Sequence, residues 1–402
     1  MKRYIASICA ALFLALTVQG QNQENNAYTV LEDLGFEDIR VIQVADTIYA
    51  SLEDPTYRGT FRGAATAIKK LEETHPEVEH FNVVLTDYKM PQLIVRASKR
   101  GGIWNVSVDR EMSQALGILR GAETKASSTG KIDITFFPKI SFTNTHLNYL
   151  ADFYVRLAPT VALTLWKGSR LTIQPIIPIW HTDHTPYNAK NFVQMGTTNL
   201  RQEFISTNRW QVSAAVGFFH ALRAGVQAKV KFHAFRNVTL SLEGGLTGKA
   251  SYTYNDEFDM YKWKQKHVLA KINFYEPWSK LQAELTAGRF IYGDKGARLD
   301  ITRHFGEYAI GAYGIRTDGE YNAGFHFAIP LGGKKQNRKG PVRLRLPEYY
   351  SLEYSMVAYG KYASENMGTQ MTTMPDENRA SHLWEPSYVE EYIERTLNGS
   401  FE

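Results

Sequence analysis

The chain of 402 residues has one cysteine, Cys9, and it falls in the first ten positions. Everything after it lacks a disulfide, a thiol nucleophile and a thiolate metal site. Long apolar runs are scarce. Tyr4 to Val18 is one such run, and no later segment reaches the roughly eighteen apolar residues of a spanning helix. An excess of one charge is missing too: 46 Lys and Arg stand against 41 Asp and Glu, a formal net charge of +5. That balance is no footprint for nucleic acid, which is not expected as a partner.

The N-terminus carries an address. Lys2 and Arg3 precede the apolar run, and Gln19 to Gln21 turns polar with a plausible cut after Gly20. Residues 1–20 are therefore expected to be a secretory signal peptide. Cys9 sits too early for a lipoprotein cleavage site. Losing Lys2 and Arg3 lowers the net charge from +5 to about +3. Residues 28–110 read as a small α/β unit in the order α, β, β, α, β, β. The first helix starts at Tyr28 and ends at Gly35. Strands follow at Asp38 to Val44 and Thr47 to Glu53. Phe61, Ala64, Ala65, Ile68 and Leu71 share one side of a helix that Pro76 stops, and Phe81 to Ser98 forms a hairpin broken at Lys89 to Pro91. The unit has no phosphate loop and no nucleophile elbow, and no cofactor is expected.

From Lys131 the pattern changes to period two. Leu222, Ala224, Val226, Ala228, Val230, Phe232 and Ala234 alternate with Arg223, Gly225, Gln227, Lys229, Lys231 and His233. Such alternation puts one apolar and one polar face on a strand. Lys131 to Thr143, Val238 to Thr247, Leu281 to Ala287, Ala297 to Ile301 and Tyr350 to Ala358 repeat it. Roughly fourteen such segments fit between Lys131 and Tyr359, each long enough for a tilted spanning strand of about 9–11 residues. The expectation is a mainly β chain, with an antiparallel outer-membrane β-barrel of about 14 strands over residues 131–360. A soluble β-sandwich also has alternating strands, but rarely a face so charged along a whole strand. The longest loops are expected at Thr182 to Gln202 and Asn255 to Trp263. Trp166, Trp180, Trp210, Trp263 and Trp278 lie near strand ends, where an aromatic girdle would place them. Residues 361–402 read as a tail, flexible from Asn366 to Ala380. A possible helix runs from Pro386 to Asn398, capped by Gly399.

Three groups of residues are candidates for chemistry. His181, Asp183 and His184 form a dense cluster of metal-type ligands, yet a polar loop between Pro178 and Pro186 explains them without a metal. Ser206, Ser213 and His220 could serve a barrel-embedded hydrolase only if geometry brought them together, and no enzyme activity is expected. The polar strand faces carry more information. Arg223, Lys229, Lys231, Lys271, Arg298 and Arg316 would face a lumen, with Glu243, Glu284 and Asp300 among them. Such a lumen, mixed in charge and leaning positive, would pass or hold a hydrated acidic solute; alternatively these charges merely pair with one another.

Gly288 to Phe305, Gly311 to Asp318 and Phe325 to Leu331 resemble the YjbH-like exopolysaccharide biosynthesis proteins, a family of outer-membrane β-barrels. Leu31 to Val41 with Tyr57 and Arg58 is similar to that family's leading α/β segment, and Gly130 to Asp133 to the start of its barrel. The resemblance runs with gaps from about residue 30 to residue 331. It implies a role in making or exporting extracellular polysaccharide or capsule. The implied partners are outer-membrane lipid, the polysaccharide, and periplasmic and outer-membrane export proteins. No catalytic residues come with it. A non-transporting structural or adhesive barrel is the alternative, and a membrane-embedded hydrolase the third reading.

Overall fold

The computed structural model describes residues 26–143, 152–182, 189–220, 223–250, 264–355, 362, 365–375 and 384–399. The expected signal peptide, Trp263, and Asp183 and His184 of the ligand cluster lie outside these residues. The chain divides into two compact units, Met1–Ser128 with Val389–Glu402, and Thr129–Tyr388.

The first unit opens with helix α1 at 26–33, ended by Gly35 at φ +94°. Five strands follow in spatial order β1 to β5: β1 (Glu37–Val44), β2 (Thr47–Glu53), β3 (His80–Asp87), β4 (Met90–Arg100) and β5 (Ile103–Asp109). All neighbours are antiparallel except β2 and β3, which helix α2 (Thr60–Thr74) joins as a parallel crossover. The apolar side of α2 is buried through Phe61, Ala64, Ala65, Ile68 and Leu71, as the spacing predicts. Helix α3 (Ser113–Leu119), absent from the expected order, packs Ala115 and Leu119 against Val84 and Ile94. Strand β5 is likewise an addition, since a strand of alternating exposure next to Gly101 and Gly102 reads as loop. The final helix α4 (Pro386–Leu397) starts on the expected proline. Its part from Val389 onward belongs to this unit: Tyr392 lies 5.1 Å from Phe61, ring to ring, and Asn398 brackets the Trp104 backbone at 2.9 and 3.1 Å.

One acid in this unit gives a pH prediction. Glu53, at the end of β2, is pushed well above its ordinary value of 4.5 by burial first and by Asp87 second; the Lys89 N–H bonded to its carboxylate opposes this. The folded unit therefore holds a proton that the unfolded chain releases earlier. Stability is full below the ordinary value and falls as pH rises through the raised one. Glu53→Gln should flatten that fall and stabilise the unit at neutral pH. Amide exchange of the β3 peptide, measured from acid to neutral pH in both proteins, reads it; parallel pH profiles would refute it.

Among the described residues the second unit is one sheet of sixteen strands. Its long hydrogen-bonded run comprises β11 (Thr198–Ser206), β12 (Trp210–His220), β13 (Arg223–Phe235), β14 (Val238–Lys249), β15 (Gln265–Glu276), β16 (Leu281–Arg289), β17 (Lys295–Phe305), β18 (Tyr308–Thr317), β19 (Glu320–Pro330) and β21 (Tyr349–Ser355). On its other side stand β6 (Ile132–Thr143), β7 (Asp152–Leu163), β8 (Ser169–Ile173), β9 (Pro175–His181) and β10 (Gln194–Met195). The count exceeds the expected fourteen because β7 pairs with both β8 and β9, and because the short β10 and β20 (Val342–Arg345) are strands too. Gln202 lies inside β11 rather than in a loop. The sheet is antiparallel save where β20 runs parallel to β6. Among the described residues no ladder joins β21 to β6, so no closed barrel is found, although Phe142 of β6 stacks on Tyr354 of β21 at 4.9 Å.

The two ends of this sheet differ. Two-residue turns join β13 to β14 and β17 to β18 at one end. β6 and β14 end at the other, where β18 and β19 are joined by Asp318 and Gly319, at φ +44° and +87°. That pair fits the left-handed turn of a tight hairpin. Glycines let the sheet bend. A Cβ on Gly225 would stand 2.0 Å from the Leu246 carbonyl oxygen, and one on Gly296 1.9 Å from that of Arg316.

Exposure across the sheet is inverted relative to a soluble sheet. Leu242 on β14 is 55% exposed and its neighbour Glu243 is 1% exposed. Val268, Ile272, Leu285, Leu299, Ile301 and Ile310 are exposed in the same way, while Gln227, Thr247, His267, Asn273, Thr286 and Thr317 are buried. The tail also departs from expectation. Residues 367–373 are not free chain but lie on the polar face, with Met371 packed against Ala215, Phe219 and Ile291.

Candidate functional site on the polar face

Strand register assembles the site. Lys229 faces Glu243 across β13 and β14, and Ser241 faces Lys271 across β14 and β15. The Glu243 carboxylate is therefore flanked by two ammonium groups, each 3.4 Å from the same oxygen. Lys231 lies on the same face, opposite Ser241. Glu284 stands between Asn273 and Asp300 in register and accepts the Thr286 hydroxyl at 3.4 Å.

A second charged group centres on Arg298. Its guanidinium binds Asp300 at 2.8 Å and both oxygens of Glu353 at 3.0 and 3.1 Å, and it lies 3.8 Å from the Tyr313 ring centre. Asp300 also bonds His326 at 2.8 Å and Thr302 at 3.2 Å. The bidentate fork and ring stacking are what a guanidinium does better than an ammonium. Arg223 sits at the end of β13, donates to the Ile291 carbonyl at 3.2 Å and covers the Tyr292 ring at 4.6 Å. In this setting burial raises the Tyr292 hydroxyl above its ordinary value against the pull of Arg223.

Eight of the nine expected residues thus share the polar face. Arg316 does not, which corrects that expectation. Its in-register partner is Ala297, on the apolar face, and its guanidinium stands over the exposed Tyr321 ring at 5.0 Å. Thr317, fully buried, holds the inward position. A long cation at a strand end can lay its stem on apolar surface and keep its head in water, so polarity alone misassigned the face. His181 is described, at 6.3 Å from Tyr154 in a stacked pair, but the cluster it was to form is not. Among the described residues Asp46, Glu79 and His80 come close enough to hold a cation, and all are on the surface of the first unit. Ser213 lies on the polar face beside Lys229, while the side chain of His220 is not described.

Several participants lie beyond the expected set. Glu353 and His326 lie on strands whose alternation would place them, whereas the Asp133 group needs the fold. There, Arg338, Arg343 and Arg345 gather round one carboxylate at 2.6, 2.6 and 4.0 Å. A chain of buried side chains runs from His304 to Gln282 (2.9 Å), on to Asn273 (2.7 Å) and to Glu385 (2.9 Å). Nothing periodic in the tail announces Glu385.

Fold and site define a mainly β protein with a small α/β unit and a large sheet whose polar, ion-paired face is the enclosed one. The chain belongs to the family described as exopolysaccharide biosynthesis protein YbjH (YjbH), which matches residues 104–336. That span begins in β5 and covers the sheet through β19, so the resemblance around Leu31 and Tyr57 lies outside it. No curated protein and no solved structure matches the chain.

Proposed function

We propose that the chain is an outer-membrane β-barrel that guides a glycan during exopolysaccharide biosynthesis or export, acting by passage rather than by cleavage. The family supplies the exopolysaccharide role. The inverted sheet carries the rest. Rows of Leu, Ile and Val face outward from β14 to β18 while Glu, Lys, Gln and Thr are enclosed. In water that arrangement exposes oil and buries charge; in a bilayer it satisfies both. The stacking of Phe142 of β6 on Tyr354 of β21 at 4.9 Å supports this reading. Closure would leave the two-residue turns after β13 and β17 at one rim, together with the 331–348 segment that carries β20. Trp166, Trp210 and Trp278 are exposed beside those short turns, the place for an interfacial girdle. In this reading an exported chain enters the sheet from the periplasm at β6, and its α/β unit docks a periplasmic export partner.

Gel mobility of the membrane-fraction protein, unboiled against boiled, is the direct test. A faster unboiled band supports the barrel, and a single unshifted band in the soluble periplasmic fraction would sink it. Lys231→Glu reverses one charge on the polar face away from the buried Glu243. It should lower surface polysaccharide while the fast band persists. Unchanged polysaccharide with the variant folded would remove the polar face from the glycan's route.

A further inference from the structure

We propose that residues 367–373 form a strap that occupies, on the polar face, the ground an acidic glycan would use, and that the strap lifts to let the glycan pass. This rests on the export reading above. The strap is seated at several separate places. The Gly368 N–H donates to Asp294 at 2.7 Å, and the Thr369 carbonyl accepts from the Ile291 N–H at 3.2 Å. The Gln370 side-chain carbonyl takes the Lys271 ammonium at 2.6 Å, and the Thr373 carbonyl takes the Asn199 amide at 3.1 Å. None of residues 365–375 is in a strand, so the strap is held by scattered bonds and Met371 rather than by a ladder.

Two features make it a removable occupant. Its polar contacts are carbonyls and the N–H groups of Gly368 and Thr372, the latter donating to the Phe219 carbonyl at 3.3 Å, the same kinds of group that the hydroxyls, acetamides and carboxylates of a sugar chain present. Lys271 also serves two acceptors, Glu243 and Gln370, so an incoming carboxylate competes with a neutral amide for an ammonium already on the face. The seat is specific as well. Gly368 has φ +72°, and a Cβ there would stand 2.5 Å from Ile315 Cδ1 and 2.6 Å from the Tyr362 hydroxyl.

Thr286, beside Lys271, which the strap's Gln370 engages, serves as the reporter position. It is 1% exposed and lies opposite Lys271 in register. In the full chain carrying Cys9→Ser and Thr286→Cys, labelling by a negatively charged maleimide should be slow. Gly368→Val should speed it roughly tenfold by unseating the strap, and Asp294→Ala, which leaves the strap's own sequence intact, should do likewise. Both should keep the fast unboiled band. Equal rates in all three proteins, or a parent rate matching the boiled chain, would overturn the strap. Loss of the fast band in both variants would overturn it too, since the segment would then be part of the folded core. Faster labelling without any conductance step in planar bilayers would keep the strap and count against export.

Discussion

Arginine at Leu242 and Leu299 together should abolish the folded membrane form. The two lie on the same outward face, on β14 and β17, separated by the rows of β15 and β16. Leu299 is 46% exposed and Leu242 55%. In water, replacing an exposed leucine by arginine is worth little, within about ±0.5 kcal/mol, and improves solubility. Facing lipid near the middle of a bilayer, each arginine costs about 2–4 kcal/mol. Being well separated, the two should add. A combined loss of roughly 4–8 kcal/mol exhausts much of the 5–15 kcal/mol that a folded protein has. The fast band should vanish and the chain should be degraded. Trp278→Arg is the control: it stands in the turn after β15, where an arginine near the interface costs about 0–1 kcal/mol. A double variant that is soluble, abundant and folded would show that water covers the apolar face.

That experiment also marks what is legible in the sequence. Period-two alternation from β13 through β17 is plain because Leu, Ile and Val contrast with Lys, Glu and Thr at every step. The pattern separates two faces; it cannot say which one is enclosed, since a soluble sheet and a lipid-facing one have the same period. Burial of Glu243 beside exposure of Leu242 supplies the sign. Where contrast fails, so does the reading. In β18, Gly311, Ala312 and Gly314 give neither face a character, and polarity assigns Arg316 to the face Thr317 occupies. Short strands fail for a related reason: β10 and β20 have 2 and 4 residues, too few for a period to show.

The site divides in the same way. Lys229, Glu243, Lys271, Arg298 and Asp300 are found by alternation, and register then explains their pairing. Gln370 is not found, because its contact with Lys271 spans 99 residues and depends on how the chain returns after β21. A stretch rich in Met, Thr and Asn has the composition of a flexible tail. What orders residues 367–373 is the surface they meet: a buried carboxylate at Asp294, an ammonium at Lys271 and an apolar recess at Ala215 and Phe219. Burial raises Asp294 above its ordinary value while the Gly368 N–H pulls it down, so strap and carboxylate stabilise each other.

The ion-paired core of the polar face should behave as a unit. Glu243→Gln removes one charge and leaves two lysines beside a neutral amide, each 15% exposed or less. Breaking a buried pair from one side costs about 3–5 kcal/mol, because the remaining charge stays desolvated. Neutralising all three groups with Lys229→Met, Glu243→Leu and Lys271→Met removes the desolvation along with the attraction, and such replacements are often close to neutral. The triple variant should therefore be more stable than Glu243→Gln alone, an order that simple counting of lost contacts reverses. Loss of the fast band against guanidinium concentration measures it; a triple variant weaker than the single one would mean water screens the face and the pairs contribute little. The two lysines should then separate by function. Lys271 also holds Gln370, whereas Lys229 is paired with Glu243. Lys271→Met should accelerate labelling of Thr286→Cys while Lys229→Met leaves it slow. Equal acceleration would mean the charge network, not the strap, guards that position.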